Sequence, residues 1–561
     1  MDYKTLSEML FPNITKTCDE IEAEYPPRNL PEGAIVSRMG PSPTGFVHLG
    51  NVVQGLTSER MAHQSSGVMF LRIEDTDAKR EVEGAVESLI DGLAHYGILF
   101  DEGATEDGDS GIYGPYRQRQ RAHIYHVFAK KLVSEGKAYP CFCTEQELSD
   151  NRQQQEELKE NFGYYGKYAI WRDRPMEDIQ AKFDKQTPWV LRFRSTGSIE
   201  NKIKFTDLIK GALELTENDI DHVLLKSDGI PTYHFAHAVD DRLMRTTHVV
   251  RGDEWLPSLP LHLQLQDALG FKWLKYLHIG PLMKMDGDSK RKLSKRKDPE
   301  LALSFYKSEG YPVQAVYEYV LTILNSNYED WRRANPRVST DDFKFSYKKM
   351  NPAGSLFDED KLRDVSKNVI ARMDAVTVFD QTAEWAQEFD PEFHAMLTAN
   401  PEYSTAILSI GRGGAKPRKD FAVWTDVKPY MSFFFQPLFA PEYEYPQSVA
   451  AADVSAVIRE YYALRMAEYQ RTKAELPADA SAWFDELKIF AEKLGFCPDM
   501  KLFKAEPEDW KGSVGDVSMI LRVAVCGRQQ SPDLYSVLAI MGMDSFMGRL
   551  QSALAAMGEE L

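Results

Sequence analysis

The chain is short of cysteine, of long apolar runs and of net positive charge. Its five cysteines (Cys18, Cys141, Cys143, Cys497 and Cys526) are too few, and odd in number, for a disulfide framework. The fold must therefore rest on packed cores. Cys141-Phe-Cys143 has half the ligand set of a zinc site, yet the next sixty residues add no cysteine or histidine. That pair is expected to be structural. No apolar stretch is long enough to cross a bilayer and no N-terminal apolar signal region is present, so a cytoplasmic protein with no membrane partner is expected. Lys and Arg number 67 against 85 Asp and Glu, a net charge of −18. This excludes a protein that coats nucleic acid nonspecifically, while a specific nucleic-acid partner held by local basic patches stays open.

What is present is ordinary in bulk and uneven in detail. At 561 residues the chain exceeds what one core can hold, and three or four domains are expected. Lys284–Lys297 holds seven cations against Asp286 and Asp288, and a second patch comprises Arg412, Lys416, Arg418 and Lys419. Such runs are most often solvated faces.

Hydrophobic periodicity divides the chain. Residues 1–33 end in Pro26, Pro27 and Pro31 and read as an extension. A strand over 34–39, a Pro/Gly loop at 41–45, a helix over 49–66 stopped by Gly67 and a strand over 68–73 make a βαβ unit, with its ligand site at the carboxyl ends of the strands. Residues 121–225 break this pattern with a helix, a Gln/Glu-rich run and short strands, as an inserted α+β domain would. A second βαβ unit follows, with strands at 247–251 and 276–279 around a helix at 258–269. From about residue 300 helical periodicity dominates, and Ser531-Pro532 with Gly542 reads as a pair of caps around one helix. The expected architecture is α/β: a Rossmann-type catalytic domain in two halves (34–120 and 226–300), split by the insertion (121–225). A contact region (301–370) and an all-α region (371–561) follow it.

Two loops carry the chemistry. Pro41-Ser-Pro-Thr-Gly-Phe-Val-His48 leads into a helix whose N-terminus offers free N–H groups to a phosphate. Gly50 would let a flat base approach the backbone, and His48 would donate to a phosphate oxygen. The alternative is a surface turn with His48 in a capping role. Lys292-Leu-Ser-Lys-Arg296 lies between Gly287 and Pro299 in a cationic loop, where a mobile lysine could stabilise charge growing on a transferring phosphoryl group. A solvated basic loop is the alternative here. Asp101–Asp109 lacks the ligand spacing of a calcium loop, and Gly411-Arg-Gly-Gly-Ala-Lys416 lacks the Ser/Thr of a P-loop.

Together, in this order and on two halves of one sheet, these loops resemble the signature motifs of class I aminoacyl-tRNA synthetases. His48-Leu-Gly-Asn51 is similar to the family's His-Ile-Gly-His, with asparagine in the last place, and Lys292–Arg296 is similar to Lys-Met-Ser-Lys-Ser. Pro-Ser-Pro-Thr-Gly before the histidine, Arg72-Ile-Glu-Asp-Thr-Asp77, Pro231-Thr-Tyr233, Val239-Asp-Asp241 and Val250-Arg-Gly-Asp-Glu-Trp255 resemble the bacterial type of glutamyl-tRNA synthetase. The resemblance implies ligation of L-glutamate to tRNA(Glu) with ATP and Mg²⁺ through a glutamyl-adenylate. It implies catalytic roles for His48 and Lys295, and ATP contacts from His48, Gly50, Asn51, Lys292, Ser294 and Lys295. The glutamate pocket would comprise Arg38, Ser42, Glu74, Tyr233 and Arg251, with Arg251 on the γ-carboxylate and Glu74 on the ammonium. His237 stands where some relatives have a pocket asparagine. Where some relatives bind zinc with a later Cys-x-His, this chain reads Tyr168-Ala-Ile170, so no structural zinc is expected. The family's helical C-terminal domain reads the anticodon, making Arg412 and Arg418 tRNA candidates.

The family default is a monomer, and charging of tRNA(Gln) as well stays open. The glutamine enzyme usually spells the loop Pro-Glu-Pro-Asn-Gly and has a β-barrel C-terminal region. The shortened paralogue that modifies a tRNA base lacks residues comparable to 371–561. An inactive tRNA-binding module is opposed by intact His48, Lys295 and Arg251.

Overall fold

The computed structural model describes residues 2–43, 45, 47–77 and 81–559, so Thr44 and Phe46 of the first loop lie outside the described residues. It comprises two units: residues Met1–Phe305 with Val320–Asp358, and Tyr306–Tyr319 with Glu359–Leu561.

The first unit is built on five strands: β1 (Val36–Met39), β2 (Val68–Leu71), β3 (Glu102–Thr105), β4 (His248–Gly252) and β5 (Lys275–Ile279). β1 pairs with β2 in parallel, Val36 opposite Val68, and β2 pairs with β3 in parallel. β4 and β5 are also parallel, His248 opposite Lys275. Thr247 joins the two groups: its N–H donates to the Val36 carbonyl at 3.0 Å, and the Val36 N–H donates to its hydroxyl at 2.9 Å. The strand order is therefore β3-β2-β1-β4-β5, with the chain direction of travel reversing between β1 and β4. In such sheets ligands bind beyond the carboxyl ends of the strands at that reversal. β1 is buried along its whole length, as a central parallel strand covered on both faces should be. Gly67, read as a helix stop, has a second constraint: a Cβ there would sit 1.9 Å from the Ile35 carbonyl oxygen.

The insertion is α+β as expected. The helix Ala122–Ser134 leads to an antiparallel sheet of Ala138–Cys141, Val190–Phe193 and Val223–Leu225, and to a hairpin of Lys202–Asp207 with Gly211–Thr216. The second unit is helical throughout, with no strand among the described residues. Its core includes Trp424, Tyr461, Trp483 and Phe546, and the Trp483 indole donates to the Tyr461 hydroxyl at 2.9 Å.

Several expectations are corrected. Residues 1–33 carry two helices, Tyr3–Leu10 and Cys18–Glu24, packed on Ala122–Ser134 through contacts such as Phe11 with His126. Asp2 caps the first, and a Thr17–Glu20 capping box starts the second. The acidic stretch at 101–109, for which only a calcium loop was set aside, is mostly a hairpin, with Gly108–Ser110 turning back on β3. Part of the basic loop is likewise a hairpin, Leu282–Asp286 with Ser289–Lys292, and Ser355–Leu356 adds a short strand to it after residue 300. The helix Leu534–Met541 is capped by Asp533 rather than Ser531, because the Asp533 carboxylate reaches the Ser536 N–H at 2.9 Å.

Candidate active site

The carboxyl ends of β1, β2 and β4 converge on a cavity of about 370 Å³. Arg38 comes from β1, Ser42 and Glu74 from just beyond β1 and β2, Arg251 from β4, and Tyr233 from the first turn of the helix Tyr233–Leu243. All five line this cavity, so residues more than two hundred positions apart meet in one place. Gly40 makes room for Glu74, since a Cβ there would lie 2.3 Å from the Glu74 Oε1.

The floor is an ion network. Arg72 donates to Asp241 Oδ1 at 2.6 Å and to Glu74 Oε1 at 2.9 Å, and Arg38 Nε reaches Asp241 Oδ1 at 3.4 Å. Burial opposes ionisation of Asp241, but the Arg72 and Arg38 guanidiniums hold its carboxyl well below the usual range. Burial pushes the Glu74 carboxyl up against the same cations. His237 is fully buried, 2.8 Å from Asp241 Oδ2 and stacked on Tyr233. Burial pushes it down to about 4, so it is neutral at pH 7 and belongs to the floor rather than to the cavity wall.

Arg251 differs from these arginines. It is 3% exposed, yet no carboxylate lies within 4.0 Å of it among the described residues. Its Nε donates to His278 Nε2 at 3.0 Å, and its Nη1 lies 3.0 Å from His262 Nδ1. The Tyr276 ring lies under the guanidinium at 4.7 Å, and Nη2 is buried without a partner. A buried cation surrounded by neutral imidazoles and an aromatic face is costly unless an anion completes it. Its unspent donor belongs to a cavity-lining residue.

A second cavity, of about 330 Å³, adjoins the first and is lined by His48, Gly50, Asn51, Lys292 and Lys295. Gln54, Gly252 and Glu254 border both. His48 is the N-cap of the helix Leu49–His63; its N–H donates to Asn51 Oδ1 at 3.0 Å, and Asn51 N–H returns to its carbonyl at 2.8 Å. The imidazole occupies the space where a Cβ on Gly50 would sit, at 2.9 Å. Gly50 therefore makes room for His48 itself, and it also lines the second cavity, into which close approach of a base is the expectation. Burial, with Lys295 nearby, pushes His48 down to about 4.

The lysine loop is pinned at its base. Arg291 grips Asp298 with two bonds at 2.6 and 2.7 Å, and Asp298 accepts the Ser294 N–H at 2.8 Å. Ser294 thus faces Asp298 and is not among the cavity-lining residues, whereas Lys292 and Lys295 are. In the second unit, Arg412 donates to the Leu408 and Ile370 carbonyls at 2.8 Å each, and Arg418 donates two hydrogen bonds to the Asp420 carboxylate. Both guanidiniums have internal partners. Cys141 and Cys143 each lie 3.4 Å from the Tyr164 hydroxyl, and no group of three or more metal-ligating side chains occurs among the described residues.

Sequence reasoning passed over Gln54, Glu254 and Trp255 as wall residues, although the last two stand inside the quoted 250–255 segment. His262 and His278 carried no local signal, since their role exists only once β4, β5 and a helix are side by side.

The family model described as "tRNA synthetases class I (E and Q), catalytic domain" matches residues 34–362, and one described as "Anticodon binding domain" matches 500–554. The chain belongs to the class I tRNA synthetases. Relatives named glutamate–tRNA ligase resemble this synthetase along its length. That of Acetivibrio thermocellus is 46% identical, over 99% of this chain and 100% of its own. That of Clostridium beijerinckii is 45% identical with the same coverage. Among solved structures, a glutamate tRNA ligase from Elizabethkingia meningosepticum in complex with its amino acid has a TM-score of 0.72 at 26% identity. It covers 92% of this synthetase and 99% of that chain.

Proposed function

We propose that this synthetase activates L-glutamate with ATP and attaches it to the 3′ end of tRNA(Glu). The observation that carries the substrate is Arg251, a buried guanidinium in the wall of a 370 Å³ cavity with no carboxylate partner among the described residues. The γ-carboxylate of glutamate completes it with paired, charge-assisted bonds. Glutamine offers a neutral amide and leaves the cation underpaired. Glu74 takes the ammonium group, with Arg38, Ser42 and Tyr233 shaping the rest of the pocket.

The α-carboxylate then points toward the second cavity. It is an anion at neutral pH, so it attacks the α-phosphorus of ATP without a general base. An oxygen–phosphorus bond forms, and the bond to pyrophosphate breaks. What the protein supplies is position and charge. His48, held neutral, donates one N–H to a phosphate oxygen, and Lys295 with Lys292 supplies positive charge. Mg²⁺ arrives on the phosphates of ATP as part of that substrate. A ribose hydroxyl of the terminal adenosine, the 2′-OH by family resemblance, next attacks the acyl carbon and AMP leaves.

Within this scheme residues 121–225 receive the acceptor end, 301–370 the stem and 371–561 the anticodon, with Arg412 and Arg418 on that last region. The enzyme works as a cytoplasmic monomer; no helix among the described residues is long and apolar enough to cross a membrane. ATP–pyrophosphate exchange tests the proposal. Exchange is expected with glutamate and tRNA(Glu) together, and not with glutamine. Its absence under every condition would refute the activity. Charging tRNA(Gln) in parallel decides whether that tRNA is a second substrate.

A further inference from the structure

The orientation of Arg251 is set by protons two residues away. An arginine is only a donor, so the two imidazole nitrogens facing it must both present lone pairs. His278 Nε2 accepts from Arg251 Nε, which leaves the His278 proton on Nδ1. That nitrogen lies 2.7 Å from Asp207 Oδ2, and the His278 backbone N–H lies 3.2 Å from the same oxygen. The other Asp207 oxygen accepts the Ile209 and Lys210 N–H groups at 2.9 and 2.7 Å, so the carboxylate cannot rotate. On the second side, His262 Nδ1 faces Arg251, and His262 Nε2 lies 2.9 Å from His234 Nδ1. Asp207, His262 and His278 are all buried.

Asp207 closes the strand Lys202–Asp207 of the inserted hairpin, outside the catalytic halves. We propose that Asp207 is a specificity-positioning residue for the amino-acid pocket. By fixing the tautomer of His278 it makes that imidazole an acceptor, and so holds the Arg251 guanidinium in place without neutralising it. A carboxylate placed directly on Arg251 would orient it equally well but would compete with the substrate. One imidazole interposed between carboxylate and arginine keeps the orientation and leaves the cation free. The inserted hairpin thereby contributes to the choice of glutamate. This inference rests on the assignment of Arg251 to the γ-carboxylate.

The test uses three variants of the full chain, with tRNA(Glu) present. Asp207→Asn puts an amide donor either against His278 Nδ1–H or against the two backbone N–H groups. The relief available is a His278 that turns an N–H toward Arg251. The expected result is a rise of about tenfold or more in KM for glutamate, with KM for ATP and kcat changed by less than about threefold. His278→Ala removes the imidazole through which Asp207 acts, so KM for glutamate should rise there by about tenfold or more as well. The double variant, Asp207→Asn with His278→Ala, should then behave like His278→Ala alone. A merely structural role for Asp207 would make the double variant worse than His278→Ala by the full factor seen in Asp207→Asn. That outcome, or an unchanged KM for glutamate in Asp207→Asn, overturns the inference. Should Asp207→Asn fail to fold, His278→Ala against the parent decides: an unchanged KM for glutamate there would also overturn it. Parental exchange with glutamate reports on the proposed function separately, since it does not depend on any variant.

Discussion

Replacing Arg251 with glutamine should uncouple activity from stability. The guanidinium has spent Nε and Nη1 on His278 and His262, and Nη2 is buried without a partner. In the substrate complex it would make two charge-assisted bonds to the γ-carboxylate. Such bonds contribute about 1.5–3 kcal/mol each, so their loss should cost roughly 3–6 kcal/mol of transition-state binding. At about 1.4 kcal/mol per factor of ten, that is a fall of roughly 10²–10⁴ in kcat/KM for glutamate. In the free enzyme the loss of the bonds to His278 and His262 is offset by removal of a buried charge that has no carboxylate within 4.0 Å among the described residues, so the net change in stability should be small. Aminoacylation of tRNA(Glu) at varied glutamate, alongside urea denaturation, measures both quantities. The expected outcome is a large kinetic loss with a denaturation midpoint unchanged or higher. A kcat/KM within about threefold of the parent would refute the assignment. A collapse in stability would show that the cation is satisfied within the protein.

Other consequences follow from the same geometry. Asp241→Asn removes the carboxylate shared by two buried arginines, and should cost about 3–5 kcal/mol of stability in urea denaturation. Asn51→Ala removes the acceptor of the His48 N–H; a cap of this kind contributes about 1 kcal/mol, and KM for ATP should rise more than KM for glutamate. Burial pushes His48, His222, His234, His237 and His248 down to about 4, so the unfolded chain binds protons near pH 6.5 while the folded chain does not. Stability should therefore fall as pH drops from 6.5 toward 4, and equal denaturation midpoints at pH 7 and 4.5 would contradict this. His63 has the opposite sign. Its hydrogen bond to Glu59, helped by Asp101, raises it to about 9, so its contribution is complete below about 6.5 and is lost as pH rises through 9. His63→Gln should flatten that alkaline loss.

Much of the catalytic half was legible because its signals are local or periodic. A buried parallel strand such as Val68–Leu71 reads as a short apolar run, and the helix Leu49–His63 is marked by the Pro/Gly loop before it and Gly67 after it, since it is buried nearly all round and has little period of its own. What the sequence concealed depends on partners brought from elsewhere. The hairpin at 282–292 was hidden by its own cations, which Asp286, Asp298 and Glu300 pair only after folding. The helices in residues 1–33 were masked by the prolines that follow them, although Asp2 and the Thr17–Glu20 pair were capping signals. In the site, Arg38 and Arg251 were both visible as pocket arginines. Only the structure separates the one committed to Asp241 from the one left unpaired. The tautomers of His262 and His278 have no local trace at all, because they are set by β4, β5, a helix and the inserted hairpin together.

The most direct test is charging of tRNA(Glu) by the unaltered enzyme with glutamate or glutamine as the only amino acid. An unpaired Arg251 predicts glutamyl-tRNA, with glutamine disfavoured by roughly 10² or more in kcat/KM. Comparable charging with glutamine would contradict the central claim that this buried cation selects the substrate.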